Sequence, residues 1–114
     1  MTEWDQRARA AADSVRRLFG RRLLGMPFTH LARVDHPVSR PVFGPWNYWW
    51  QAHYIDALVD ESIREHARGT DALARHARRL AQRTLVSVGI RNVGRFTNAY
   101  YDDMAWMLLA AHRL

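Results

Sequence analysis

The residues best suited to catalysis are two adjacent aspartates, Asp102 and Asp103, in a chain of 114 residues. Tyrosines precede the pair, and an apolar run follows it. Glycoside hydrolysis uses two carboxyl groups, which a retaining enzyme holds roughly 5 to 5.5 Å apart. Neighbouring helical residues can present carboxyl groups at such a separation, although their side chains diverge by about 100° around the axis. The spacing therefore permits glycosidase chemistry.

A purely structural interpretation of the aspartates is also open. Aspartate in the first turn of a helix is stabilised by free backbone N–H groups and by the helix dipole, by about 0.3 to 1 kcal/mol. On the residues alone, this interpretation is the favoured one. Asn98 and Tyr101 are candidate supporting groups beside the pair, and Asn98 is equally suited to cap the helix.

A second segment, WNYWWQAH, contains three of the five tryptophans and follows Gly44-Pro45. Aromatic faces pack on the C–H faces of sugars, while amide and imidazole groups bind their hydroxyls. Core packing is the expected role of at least one of these tryptophans, and a lone helical histidine is more often structural. The candidate sugar-binding residues in this segment are Trp46, Asn47, Trp49, Trp50, Gln51 and His53.

The run WNYWWQAH, followed some fifty positions later by NAYYDDMAWMLLA, resembles glycoside hydrolase family 76, the bacterial endo-α-1,6-mannanases. Both motifs and their order match. The resemblance implies an (α/α)6 toroid of paired helices and retaining cleavage of α-1,6-mannosidic linkages in mannan or a mannose-containing glycan. It also implies that Asp102 is the nucleophile and Asp103 the general acid/base. Related fungal cell-wall enzymes extend the implied chemistry to transglycosylation.

The family's catalytic domain is several hundred residues long, so the resemblance covers only its N-terminal portion. The expectation is a single, truncated domain over residues 1–114, with too few helices to close the ring. Apolar edges would then be exposed, which predicts self-association or pairing with a complementary chain. The isolated chain is accordingly expected to be poorly active or inactive.

The charge of the chain suggests a competing function. The formal net charge is +6, and all 17 basic residues are Arg. Such a balance fits a small basic helical protein that binds nucleic acid or another anion. The exclusion of Lys is better explained by a GC-rich coding sequence, so nucleic acid is not the expected partner.

Apolar periodicity predicts an all-α fold. The first helix follows Thr2 as its N-cap and ends at Gly20, and a long connection then runs to Pro45. A second helix should run to about His66, with its apolar stripe ending at Ile63. The predicted remainder is a turn at 69–71, a third helix over 73–88, a loop over 89–98 and a last helix from near Tyr100.

Composition also indicates which metal or cofactor sites, membrane spans and cellular location to expect. The chain has no Cys, and its six His lack metal-ligand spacing, so neither a metal nor a cofactor is predicted. No apolar run approaches the length of a membrane span. The N-terminus lacks the apolar core of a signal peptide, which predicts a cytoplasmic protein, although the family resemblance implies many extracellular relatives.

Overall fold

The computed structural model describes residues 1–33 and 47–114, and its architecture is all-α. The helices are α1 (Glu3–Phe19), α2 (Tyr48–Ala67), α3 (Asp71–Arg91) and α4 (Tyr101–His112). Between α1 and α2 lie a short antiparallel ribbon, β1 (Gly20–Arg21) and β2 (Leu31–Ala32), and a 3₁₀ turn, Leu23–Gly25. The predicted fold class is therefore confirmed at the all-α level.

Helix α1 begins as the sequence predicts. The side chain of Thr2 accepts a hydrogen bond from the backbone N–H of Asp5, and the Asp5 carboxylate accepts one from the N–H of Thr2. This reciprocal pair satisfies donors that the first helical turn leaves without partners. No residue of α1 is buried, so apolar packing contributes little to its attachment.

Helix α2 is the centre of the molecule and packs against both α3 and α4. Its core residues are joined by small or apolar residues of the two flanking helices. The fully or nearly buried members are Ala52, Ile55, Leu58, Val59, Ala81, Val88, Met107 and Ala110. Ile63, predicted to belong to this stripe, is 57% exposed, because the C-terminal part of α2 buries Glu61 and Glu65 instead.

The turn between α3 and α4 differs from its predicted bounds. Helix α3 continues through Gly89 to Arg91, so the connection spans residues 92–100. A Cβ atom at Gly89 would lie 2.9 Å from the Phe96 ring, so the ring could not keep this position against a larger residue. This contact holds the loop against α3 and sets the position of the residues that follow it.

Candidate functional site: an acidic cleft lined by tryptophans

An open cleft of about 570 Å³ lies where the start of α2, the 92–100 loop and the start of α4 meet. The cleft contains both predicted catalytic aspartates. Its lining combines carboxylate, amide and aromatic groups from three separate parts of the chain. The lining residues are Asn47, Tyr48, Trp49, Asn92, Thr97, Asn98, Tyr100, Asp102, Asp103 and Trp106.

The two aspartates occupy different environments within the cleft. Asp103 is 8% exposed, and its Oδ2 accepts a 2.6 Å hydrogen bond from Nδ2 of Asn98. Asp102 is exposed, and its Oδ1 accepts a 3.0 Å bond from the backbone N–H of Asp103. Asp103 is thus held in one orientation, while the Asp102 carboxylate stays accessible from the cleft.

The loop that carries Asn98 is fixed by two side chains that bind its backbone. The Tyr48 hydroxyl donates a 2.6 Å hydrogen bond to the carbonyl oxygen of Phe96. Nδ2 of Asn92 donates to the carbonyl oxygens of Arg95 and Thr97, at 3.0 and 2.8 Å. Burial raises the pKa of Tyr48, and the negative charge of Asp103 raises it further. The Tyr48 phenol therefore remains protonated and able to donate. The loop that it holds places Asn98 beside Asp103.

One side of the cleft is an aromatic wall made of Trp49 and Trp106, with the His53 ring packed behind it. The ring centroids of Trp49 and Trp106 are 6.2 Å apart, and the His53 ring lies 5.7 Å from Trp49 and 5.2 Å from Trp106. Trp49 is 40% exposed and Trp106 is 37% exposed, so parts of both indoles face solvent. Partly exposed rings that brace one another suit the stacking of a flat ligand face.

The structure brings some of the predicted sugar-binding residues together and separates others. Asn47, Trp49 and Asn98 line the cleft with the aspartates. Trp50 and His53 line a neighbouring apolar hollow of about 380 Å³, although the His53 ring also contacts Trp106 from behind. Trp46 lies outside the described residues.

Two predicted sugar-binding residues have other positions. Gln51 is 0% exposed, and its side-chain amide makes both hydrogen bonds to the backbone of Ala32, at 2.7 and 2.8 Å. It ties β2 to α2 and cannot reach a ligand, so the predicted sugar contact is wrong. Tyr101 is 87% exposed and is not among the residues that line the cleft.

Sequence reasoning missed several cleft residues. Trp106 stands three and four positions after the aspartates, a helical spacing that could have placed it beside them. Tyr48 is buried like the core residues of α2, but its hydroxyl binds the backbone of the loop. Asn92, Thr97 and Tyr100 come from the loop, whose path no periodicity could predict.

Other chemistries are less well represented in the described part of the chain. Over residues 1–33 and 47–114, no three His, Cys, Asp or Glu side chains are grouped so that they could hold a metal ion. None of the described helices is both long enough and apolar enough to cross a bilayer.

The fold and the cleft together define a small all-α protein with an acidic, tryptophan-lined site. Comparison of the chain with models of known protein families, with curated proteins and with solved structures finds no match in any of the three. What the cleft does must therefore be argued from its own residues.

Proposed function

We propose that the cleft binds α-1,6-linked mannan, or a glycan containing that linkage, and cleaves it with retention of configuration. One observation carries the proposal: the carboxylates of Asp102 and Asp103 share a cleft with two partly exposed indoles, those of Trp49 and Trp106. The resemblance of the two sequence motifs to glycoside hydrolase family 76 supports the choice of mannan.

The proposed roles of the aspartates follow their surroundings. The exposed Asp102 carboxylate attacks the anomeric carbon and forms a glycosyl ester, while the Asp103 carboxyl group donates its proton to the leaving oxygen. Asp103 then takes a proton from the water molecule that hydrolyses the ester, which restores both groups. Asn98 orients Asp103 throughout, through its 2.6 Å hydrogen bond.

Recognition is assigned to the aromatic wall and to the amides that face it. The C–H face of a mannose ring stacks on Trp49 or Trp106, where aromatic contact excludes water from an apolar surface. The side chain of Asn47 supplies a donor and an acceptor for the hydroxyls at the ring edge, and Asn92 supplies its Oδ1 as an acceptor, since its amide hydrogens are bound by the loop. This division of contacts makes binding depend on neutral groups, so it should survive high salt concentration.

The helices are proposed to correspond to the first hairpins of an (α/α)6 toroid. An apolar groove of about 350 Å³ runs between α3 and α4, lined by residues that include Leu85, Phe96, Met104 and Leu108. A toroid would cover such a groove with further helices; here we propose coverage by a second copy or by a complementary chain. Turnover by the isolated chain is accordingly expected to be slow.

The test is reducing-sugar release from α-1,6-mannan by the purified chain and by Asp102→Asn and Asp103→Asn. Both variants should lose at least about 1,000-fold in rate, because each removes one half of a two-carboxylate mechanism. Asp71→Asn is the matched control, since Asp71 is partnered by His66 at the far end of α3. Release that persists undiminished in either cleft variant would contradict the proposal.

The roles can be separated with a glycoside whose leaving group needs no protonation. Asp103→Asn should recover much of its first-step rate on that substrate, whereas Asp102→Asn should not. Recovery by Asp102→Asn alone would reverse the two assignments.

Anion binding by α3 is the second candidate function. Arg75 and Arg79 are exposed on α3, and neither has a carboxylate partner among the described residues. A DNA or RNA duplex bound there would dissociate steeply as salt rises, because each phosphate contact releases counterions. Arg75→Ala with Arg79→Ala should then abolish binding, while Trp106→Ala leaves it unchanged. Salt-insensitive binding of mannan would favour the cleft instead.

A further inference from the structure

The ribbon of β1 and β2 carries an apolar segment that the rest of the fold leaves largely uncovered. Residues 23–28 read LLGMPF, six consecutive positions without a polar side chain. Leu23 is buried and anchors the segment, whereas Leu24 is 62% exposed and Phe28 is 75% exposed. We call residues 24–28 the hairpin tip. A Cβ atom at Gly25 would meet nothing within 4 Å, so the tip projects into open space.

The backbone of the tip holds these side chains outward in a conformation that bulky residues seldom adopt. Leu24 and Phe28 have φ angles of 50° and 61°, in the left-handed region that favours Gly, Asn or Asp. The Thr29 hydroxyl fixes the turn, because it accepts a 3.0 Å hydrogen bond from the Leu23 N–H and donates a 2.6 Å bond to the Met26 carbonyl oxygen. An ordered turn thus displays apolar side chains where its own geometry would be better served by polar ones.

The segment that carries the tip is strongly basic. Residues 14–34 contain five Arg and neither Asp nor Glu. Arg22, which directly precedes the apolar run, is exposed and forms no ion pair with a carboxylate of the described residues. The exposed apolar side chains therefore follow directly after a cation whose charge is not neutralised within the described fold.

Helix α3 adds further positive charge beside the tip. The Cζ atom of Arg83 lies 5.4 Å from the centre of the Phe28 ring, and the Ser87 hydroxyl accepts a 2.9 Å hydrogen bond from the His30 N–H. Residues 72–101 contain six Arg and again neither Asp nor Glu. The hairpin and this part of the chain thus place cations beside the apolar tip, with no carboxylate on either segment.

We propose that the hairpin tip binds the surface of a lipid bilayer that contains anionic lipids. The side chains of Leu24, Met26 and Phe28 enter the boundary between headgroups and acyl chains, while Arg22 and Arg83 contact the lipid phosphates. Such a surface gains from apolar burial and from the negative potential of the bilayer together. A nucleic acid fits less well, because it presents phosphates and base edges, and neither gives exposed leucine and methionine an apolar surroundings.

The bilayer contact goes beyond the proposed glycan chemistry and does not depend on it. None of residues 24–28 lines the cleft, which is built from the starts of α2 and α4 and from the 92–100 loop. The contact is peripheral and requires no membrane-spanning helix. Vesicle binding is measured without sugar, so its failure and the failure of glycan cleavage are separate results.

The first test is co-sedimentation of the full chain with vesicles made of equal parts of phosphatidylglycerol and phosphatidylcholine. The double variant Leu24→Asn with Phe28→Asn should bind about 100-fold more weakly, since it removes two apolar side chains from the acyl boundary. Asparagine suits the left-handed backbone at both positions, so the variant should keep its fold. Val93→Asn is the matched control and should bind normally, because Val93 is an exposed apolar residue with a φ of 56° outside the tip.

The charge contribution is tested with the same vesicles. Arg22→Gln should weaken binding about 5-fold, because one cation near an anionic surface is lost. Vesicles of phosphatidylcholine alone should bind the unaltered chain far more weakly. Equal binding to the two kinds of vesicle, or an equal loss in Val93→Asn and in the double variant, would overturn the proposal.

Insertion of the tip can be followed directly, because the chain has no native cysteine. Met26→Cys is labelled with a fluorophore whose emission moves to shorter wavelength in an apolar environment, and Val93→Cys is labelled as the control. The label at position 26 should shift on vesicles that contain phosphatidylglycerol but not on a DNA duplex, and the label at position 93 should not shift. Binding to the duplex alone, or vesicle binding that leaves the label at position 26 in water, would contradict the proposal.

Discussion

Carboxylates lie at both ends of α2, and the groups that bind them differ between the two ends. At the C-terminal end, Glu65 is bound by Arg9 of α1 through two contacts, at 2.5 and 3.3 Å, and by the Thr70 hydroxyl at 2.6 Å. Glu61 is paired with Arg16 of α1 at 3.1 Å. Guanidinium groups therefore close this end, and they attach α1, which has no buried residue of its own.

At the N-terminal end of α2, neutral groups take the place of arginine. Asp103 is bound by the amide of Asn98, and Asp102 by a backbone N–H. Among residues 1–33 and 47–114, neither carboxylate forms an ion pair with a guanidinium group. Glu61 and Glu65 are therefore bound to α1 by ion pairs, whereas the cleft aspartates have only neutral partners in the described part of the chain.

The largest expected effect of a substitution on stability is at the C-terminal end of α2, which arginines of α1 cover. Glu65→Ala should lower the free energy of unfolding by about 2 kcal/mol, because it removes the hydrogen bonds that the buried Glu65 carboxylate accepts from Arg9 and Thr70. Asp102→Asn, at the open end, should change it by less than about 0.5 kcal/mol, since that carboxylate is exposed. Urea unfolding measures both. Equal losses in the two variants would erase the proposed distinction between the ends.

Acid sensitivity should arise outside the cleft, at His30. Burial is the main cause that lowers the pKa of His30 to about 4, and the positive charges of Arg83, His76 and Arg16 contribute to the same shift. The unfolded chain then binds a proton that the folded chain does not, so stability is complete above pH of about 6.5 and falls towards about 4. The expected loss across that window is about 3 kcal/mol.

The measurement is the free energy of unfolding as a function of pH. His30→Gln should flatten the curve in this window, because its side chain does not titrate, and it can still face the Tyr54 hydroxyl that His30 Nε2 contacts at 2.7 Å. Asp103→Asn should leave the slope of the free energy of unfolding against pH unchanged in this window. A slope that vanishes with Asp103→Asn would move the acid-sensitive group into the cleft.

A smaller effect is expected at Tyr48, which anchors the loop of the open end. Tyr48→Phe removes the hydrogen bond to Phe96 and should lower the free energy of unfolding by about 1 kcal/mol. Hydrogen exchange should accelerate at residues 96–98, since the loop loses its tether. Tyr101→Phe is the control, because Tyr101 is 87% exposed. Unchanged exchange in the Tyr48 variant would show that Gly89 and Asn92 hold the loop without it.

Local signals predicted the helices well and the cleft only in part. The Thr2 cap predicted the start of α1, because a cap acts within a few residues of the chain. Gly89 was assigned to a loop on its residue type, whereas the structure uses it inside α3 to admit the Phe96 ring. Whether such a glycine lies in a helix or in a loop depends on contacts between segments that are distant in the sequence.

The same limit applies to the individual site residues. Gln51 shares a segment with Trp49, yet it is committed to Ala32, a partner 19 positions earlier that no local pattern reveals. Asn98 was predicted beside the aspartates and lies there, since a short loop joins it to them. Trp106 follows the aspartates at helical spacing, but its part in the site depends on a contact with Trp49 of another helix, which the spacing does not predict.

The most direct test of glycan binding by the cleft is a titration of the isotope-labelled chain with α-1,6-mannotriose, followed by nuclear magnetic resonance. We expect shifts in the indole N–H signals of Trp49 and Trp106 and in the Asn98 amide, with unchanged side-chain signals at Glu61 and Glu65. The shifts should persist at high salt and require no turnover. An unchanged spectrum, or shifts confined to the arginines of α3, would contradict it.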